Sequence, residues 1–174
     1  MKYLIFIFLS FAYSTLFSGE QAFGPTQEGV IEIKTIPASK VIKSASAENY
    51  FEASKLFMPL FWYITTRGIA MTTPVEVHVE PGSMYFFIGK KAAKRDLKAN
   101  NKVEVLTIPE RLVASVGYVG AYSELNYLNA KHKLEHWLEQ QSTYVAQGPA
   151  RIIYWDSPAT PNRKKRAEVH ISIK

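Results

Sequence analysis

The string Ile31-Glu32-Ile33-Lys34-Thr35-Ile36-Pro37 returns 72 residues later (31 to 103) as Val103-Glu104-Val105-Leu106-Thr107-Ile108-Pro109, with four of seven positions identical. Each copy alternates apolar and polar residues and stops at a proline, as a half-buried strand does. A second strand-like run follows each copy, over residues 40–45 and 111–119, and then a helical stretch, over residues 48–64 and 122–141. Two more strands close each half. In the first these are residues 74–79 and 84–88, joined by the turn residues Glu80-Pro81-Gly82-Ser83; in the second they are residues 150–155 and 167–173. The period is too long for a solenoid unit and two copies make no array, so the chain reads as a duplicated β-β-α-β-β unit. The prediction is one α+β domain over residues 29–174, with repeats at about 29–91 and 102–174. About eight antiparallel strands form a distorted barrel or curved sheet with two flanking helices. Residues 19–28 read as a linker, and a cleft between the halves is a natural ligand site. The chain has 174 residues, 47% apolar and 21% charged, which fits one core and a monomer.

Lys2, the apolar run from Tyr3 to Leu9 and the small residues around Ser14 to Gly19 read as a signal peptide over residues 1–18, with export to a periplasm or the medium. The apolar run is about fifteen residues, short of the roughly 20 that span a bilayer, so no stable membrane span is expected once it is removed; an uncleaved anchor is the other outcome. The exported part carries 20 basic and 15 acidic side chains, a formal charge of +5. Much of the excess lies in Lys90-Lys91, Lys94-Arg95 and Arg163-Lys164-Lys165-Arg166, which read as solvated loops. Export argues against nucleic acid and leaves anionic small molecules or a membrane surface as functional partners. With no cysteine, disulfides, thiolate metal sites, iron–sulfur clusters and cysteine nucleophiles are excluded.

Leu60-Phe61-Trp62-Tyr63-Ile64, followed by Ile69-Ala70-Met71-Thr72-Thr73-Pro74-Val75, resembles the signature of the SOUL heme-binding family. Met84-Tyr85-Phe86-Phe87, Tyr154-Trp155-Asp156-Ser157-Pro158 and Arg166-Ala167-Glu168-Val169 are similar too, so the likeness covers about residues 29–174. It implies a barrel-like sheet with two helices, related to the effector-binding domains of gyrase-inhibitor-like proteins and multidrug-responsive regulators. It further implies non-enzymatic binding of heme or another tetrapyrrole in an apolar pocket. Two features depart from the family: the loop after Ile64 is only Thr65-Thr66-Arg67-Gly68, and Pro59 sits inside the first helical stretch, where the helix must kink or restart.

Heme asks for apolar walls, cations for two propionates and, optionally, an axial ligand. Phe57, Leu60, Phe61 and Ile64 recur at helical spacing, with Leu56 before them and Ile69 and Met71 beyond. Arg67 is the candidate propionate partner and Met71 a candidate axial ligand; the competing reading makes the apolar set plain core. Tyr154 and Trp155 point to opposite sides of one strand. A second face carries Glu76, His78, Glu168 and His170, with Glu32 and Glu104 from the first strand of each half. Alternating polarity reads it as solvated; a curled sheet would instead make it line a cleft, where the Glu168 carboxylate could meet a cationic amphiphile, as in related effector-binding domains. Spacing alone does not predict a catalytic pair of Glu76 and Glu168.

His132-Lys133-Leu134-Glu135-His136 spells H-x-x-E-H, the string of inverted zinc peptidases. Both imidazoles point opposite Leu134, hence to solvent, and only 38 residues follow, too few for a peptidase; the pair suits at most adventitious surface metal. No nucleophile elbow, phosphate loop, dinucleotide fingerprint or calcium loop is present. The prediction is therefore a binding protein without catalytic residues or a resident metal.

Overall fold

The computed structural model describes residues 19–53 and 55–174; the expected signal peptide lies outside them. The chain runs β1 (Ile31–Ile36), β2 (Ser39–Ala45), α1 (Phe57–Thr66), β3 (Val75–His78), β4 (Ser83–Phe87), α2 (Lys90–Ala93), β5 (Glu104–Ile108), β6 (Arg111–Val119), α3 (Glu124–Glu139), β7 (Ala146–Tyr154), a 3₁₀ turn (Asn162–Lys164) and β8 (Arg166–Ile173). The order of elements is the duplicated one expected. Lys90 and Lys91, expected in a loop, open the added one-turn helix α2, while Lys94 and Arg95 lie in the turn after it.

All eight strands join one antiparallel sheet in the order β1-β6-β8-β7-β3-β4-β2-β5, curled into a half-barrel. The order is a palindrome of the repeat, with the pseudo-twofold between β7 and β3. The first strand of each half leaves it and pairs with the second strand of the other. Ile36 of β1 lies opposite Arg111 of β6, and 72 residues on, Ile108 of β5 lies opposite Ser39 of β2, the repeat mate of Arg111. Neither half is therefore a closed unit; each repeat completes its sheet only with a strand of its twin.

Period-two alternation gives the sheet two faces, and both are buried. On one face Ile42, Val77, Phe86, Val116, Ile152 and Val169 pack under Leu60, Tyr63 and Ile64 of α1 and under Tyr127, Ala130, Leu134 and Leu138 of α3. On the other face Ile36, Val41, Phe87, Val113, Ile153 and Trp155 are buried as well, together with Ser115, Glu76, Glu168 and His170. The cover of this second face is the segment expected as a linker. Residues 20–28 cross it as a strap: Gln21 bridges Thr73, Glu28 bridges Gly117, and Thr26 is buried. Gly117 makes the crossing possible, since a Cβ there would sit 2.3 Å from the Gln27 carbonyl oxygen and 2.5 Å from that of Thr26. Gly117 is thus a point of close backbone approach inside β6.

The first helix is shorter than its expected span of residues 48–64. Pro59 is the third helical residue of α1, where a missing N–H costs no intrahelical bond; a helix running through it from residue 48 would lose one and meet the ring. Before it, the Tyr50 N–H donates to the Val79 carbonyl and the Gly82 N–H to that of Glu48, pinning the irregular stretch onto the β3–β4 hairpin. α3 starts at Ser123, whose hydroxyl accepts from the Asn126 N–H at 3.3 Å. Among the described residues no helix is long and apolar enough to cross a membrane.

Candidate functional site

Glu168 sits at the middle of the strapped face with no exposure. Its Oε1 accepts from the Thr26 N–H at 2.6 Å and from the Trp155 indole at 2.6 Å. Its Oε2 accepts from Lys34 Nζ at 2.7 Å, Ser115 Oγ at 2.9 Å and His170 Nε2 at 2.6 Å. Burial alone would raise its pKa; the imidazole hydrogen bond and the Lys34 charge outweigh that and hold the carboxyl near 2. His170 is wholly buried and burial pushes its pKa down, so the ring is neutral with its proton on Nε2 toward Glu168, leaving Nδ1 without a partner among the described residues. Glu76, 2% exposed, repeats the design with Arg111 on one oxygen and His78 at 3.0 Å and Arg151 at 3.7 Å on the other. Burial opposes its ionisation, and the His78 hydrogen bond and the arginine charges bring it to about 2.

The face expected to be solvated is therefore sealed, because the chain supplies cations and donors for both carboxylates and then covers them. Phe23 of the strap packs edge-on against Phe87 at 5.5 Å and Trp155 at 5.6 Å and lies over His170 at 5.8 Å. Lys34 Nζ stands 5.5 Å from the same ring. An aromatic body and an ammonium on Glu168 are what a cationic amphiphile would bring, and here both belong to the chain. Glu32 and Glu104 remain at the exposed ends of Lys34 and Lys43.

The residues expected around a tetrapyrrole divide. Leu60, Ile64 and Ile69 are 0%, 3% and 6% exposed and belong to the core. Phe57 stacks on Phe61 at 5.8 Å and meets Phe86 edge-on at 5.3 Å; Phe61 itself is exposed. Arg67 folds back over the Tyr63 ring at 3.8 Å and donates to the Tyr63 carbonyl. It lies ten residues beyond Phe57, about 15 Å along the helix axis. Met71, half-buried, follows the helix beside Gly19.

At the N-terminal end of α1 an aromatic mouth of about 270 Å³ opens between the stretch before the helix and Tyr122, walled by Tyr50, Phe51, Ala53, Leu56, Phe57 and Met84. Tyr122 stacks on Tyr154 at 3.9 Å and Tyr50 lies 6.2 Å from it. The hydroxyls of Tyr118 and Tyr154 are buried; that of Tyr118 has no partner among the described residues, and that of Tyr154 has only a weak interaction with the Tyr50 hydroxyl. Burial raises all four phenols above 10, so they are neutral donors. Lys165 Nζ stands 5.2 Å from the Tyr122 ring and Lys55 is exposed beside Leu56, two cations near the rim. Sequence reasoning named Leu56 and Phe57 and weighed Tyr154 against Trp155 as a pocket wall, but missed Tyr50, Tyr118 and Tyr122, which share no periodicity.

A larger groove of about 890 Å³ runs between α3, the start of β7 and the β3–β4 turn, floored by Tyr127, Leu138 and Ile171. Glu80, Glu124, Glu135 and Glu139 rim it against Lys131, so its charge opposes a dianion. His132 and His136 are exposed on α3; among the described residues no group of three or more His, Cys, Asp or Glu could hold a metal ion.

The family described as SOUL heme-binding protein matches residues 20–172. No curated protein matches the sequence. Among solved structures the chain resembles the crystal structure of the EcmrR C-terminal domain at 19% identity and a TM-score of 0.66, over 83% of this chain and 97% of that one. EcmrR in the cryo-EM structure of its DNA complex gives 18% and 0.65, over 83% of this chain and 57% of that one. An uncharacterized conserved protein from Listeria innocua gives 10% and 0.60, over 86% and 94%. At these identities the likeness is one of fold.

Proposed function

We propose, for a chain that belongs to the SOUL heme-binding protein family, that it is an exported, non-enzymatic binder of a tetrapyrrole, held at the aromatic mouth before α1. The observation that carries this reading is the aromatic opening walled by Tyr50, Phe57 and Tyr122, with Tyr154 stacked on Tyr122 and the buried Tyr118 hydroxyl without a partner among the described residues. Buried donors without acceptors are uncommon and call for a ligand group to meet them. The volume of about 270 Å³ is just under the usual range for ligand pockets, so one edge of a macrocycle enters while the rest lies across Phe57. This reading gives the propionates to Lys165, beside the Tyr122 ring, and to the exposed Lys55 next to Leu56, in place of Arg67, which turns onto Tyr63.

The residues fit the macrocycle better than the iron. No histidine lines the mouth, the phenols are protonated, and Met84 is the remaining wall residue with a ligating atom. Binding then rests on the ring and its carboxylates, and heme, when held, supplies an iron with little help from side chains. Titrating the purified protein with hemin and with iron-free protoporphyrin IX tests this. Saturable one-to-one binding of both, within about threefold of each other, is expected, with Lys165→Glu weakening both and Arg67→Glu neither. Binding of hemin alone, or weakening by Arg67→Glu and not by Lys165→Glu, would move the site. The alternative, a module for a cationic amphiphile, would have to use the α3 groove, because Glu76 and Glu168 already hold the chain's own cations.

A further inference from the structure

The outer face of α1 is apolar and uncovered. Met58, Phe61 and Trp62 are 47%, 38% and 57% exposed, on a helix whose other side holds the core. At the C-terminal end of this helix a basic surface begins. Arg95 Nη1 donates to the Arg67 carbonyl at 3.0 Å, and the Tyr63 hydroxyl donates to the Lys98 carbonyl at 2.9 Å, which ties the segment after α2 to α1. Lys90, Lys91, Lys94, Arg95 and Lys98 are all exposed there. Two acids face them: Asp96 is paired with Lys98 at 2.6 Å, and Glu20 accepts from the Lys90 amide at the start of α2.

We propose that this surface, the Met58-Phe61-Trp62 face of α1 with the cations of the α2 segment, docks on an anionic phospholipid bilayer. Exposed aromatics beside clustered Lys and Arg are the two components of interfacial binding: apolar side chains enter the headgroup boundary while the cations meet the negative surface. Charge complementarity selects this partner over a neutral apolar one, since the exposed charge beside the apolar face is net positive, five cations against the two carboxylates of Asp96 and Glu20. The described chain also begins here, with Gly19 against the Met71 carbonyl. The strap, α2 and the apolar face of α1 thus meet at one end of the half-barrel.

The test is co-sedimentation of the full chain with vesicles of phosphatidylglycerol and phosphatidylcholine (30:70) and of phosphatidylcholine alone. Each surface cation contributes about 1 kcal/mol, about fivefold in affinity. Binding to the anionic vesicles, falling at least about 25-fold in Lys91→Glu/Arg95→Glu and blue-shifting a tryptophan emission that Trp62→Phe removes, is the expected result. Equal binding to both vesicles, or unchanged binding in Lys91→Glu/Arg95→Glu and in Phe61→Ser/Trp62→Ser, would overturn the proposal. Protoporphyrin titration of Lys91→Glu/Arg95→Glu separates the two readings: it stays unchanged if the membrane surface is distinct, and loss of porphyrin binding together with unaltered vesicle binding assigns these cations to the ligand instead.

Discussion

Replacing Glu168 by Gln keeps the shape of the side chain and removes the charge around which the strapped face is built. The carboxyl is held near 2 against an ordinary 4.5, a preference for the ionised form of about 3 kcal/mol in the fold. The substitution also leaves the Lys34 ammonium, 14% exposed, with only the half-exposed Glu32 carboxylate at 3.7 Å, and turns an amide NH₂ toward donors that need an acceptor. Breaking one side of a buried pair costs about 3–5 kcal/mol, so both routes give the same size. For a domain of this length that lowers Tm by about 6–20 °C. Urea unfolding at pH 7 followed by tryptophan emission measures it, and Glu168→Gln/Lys34→Met should recover part of the loss because the stranded cation goes too. The pH dependence adds a check. Glu76 and Glu168 are both held below their ordinary value, so their stabilisation is complete above about pH 4.5 and fades as pH falls toward 2. His170 is held neutral by burial, so protonation of the unfolded chain starts a further loss below about pH 6.5. The gap between wild type and Glu168→Gln must therefore narrow between pH 4.5 and 2. A cost under about 0.5 kcal/mol at pH 7, or a gap that persists unchanged at pH 2, refutes the account of this face.

Gly117→Ala should push the strap off β6, since nothing near a 2.3 Å contact with a backbone oxygen can yield cheaply; a cost of about 1–3 kcal/mol and faster proteolysis within residues 20–28 are expected, and unchanged cleavage would refute it. Tyr118→Phe removes a buried hydroxyl with no partner among the described residues, so the free protein should be as stable or slightly more stable by thermal melting, while protoporphyrin affinity falls severalfold. A destabilised free protein would show that this group is satisfied without ligand. His132→Ala/His136→Ala lies on an exposed helix face and should change stability by under about 0.5 kcal/mol and leave porphyrin binding untouched.

The duplicated order of strands and helices was legible because alternation, prolines and turn residues are local signals, and the repeat at 31 and 103 reported the same local structure twice. The position of Pro59 already carried the start of α1, but reading the helix from residue 48 let propensity overrule the one residue that forbids it. Tyr154 and Trp155 fall on opposite faces, as strand geometry requires. The tyrosine mouth was not legible. Its four phenols come from one loop, two strands and the approach to α3, and nothing along the chain links residues so far apart.

By itself the sequence determined the family, the number and order of the strands and of the two long helices, and which residues share a side of each strand. The tertiary structure decided which medium each side meets. Alternation records that Glu76, Glu168 and His170 differ in polarity from their neighbours, and polarity is compatible with burial only when partners arrive from elsewhere. Lys34 comes from 134 residues away, Thr26 from 142, and Arg111 from the first strand pair of the other half. The exchange of β1 and β5 between the halves has the same origin. Backbone hydrogen bonds are indifferent to which copy of a repeat supplies the strand, so the choice falls to the sheet as a whole.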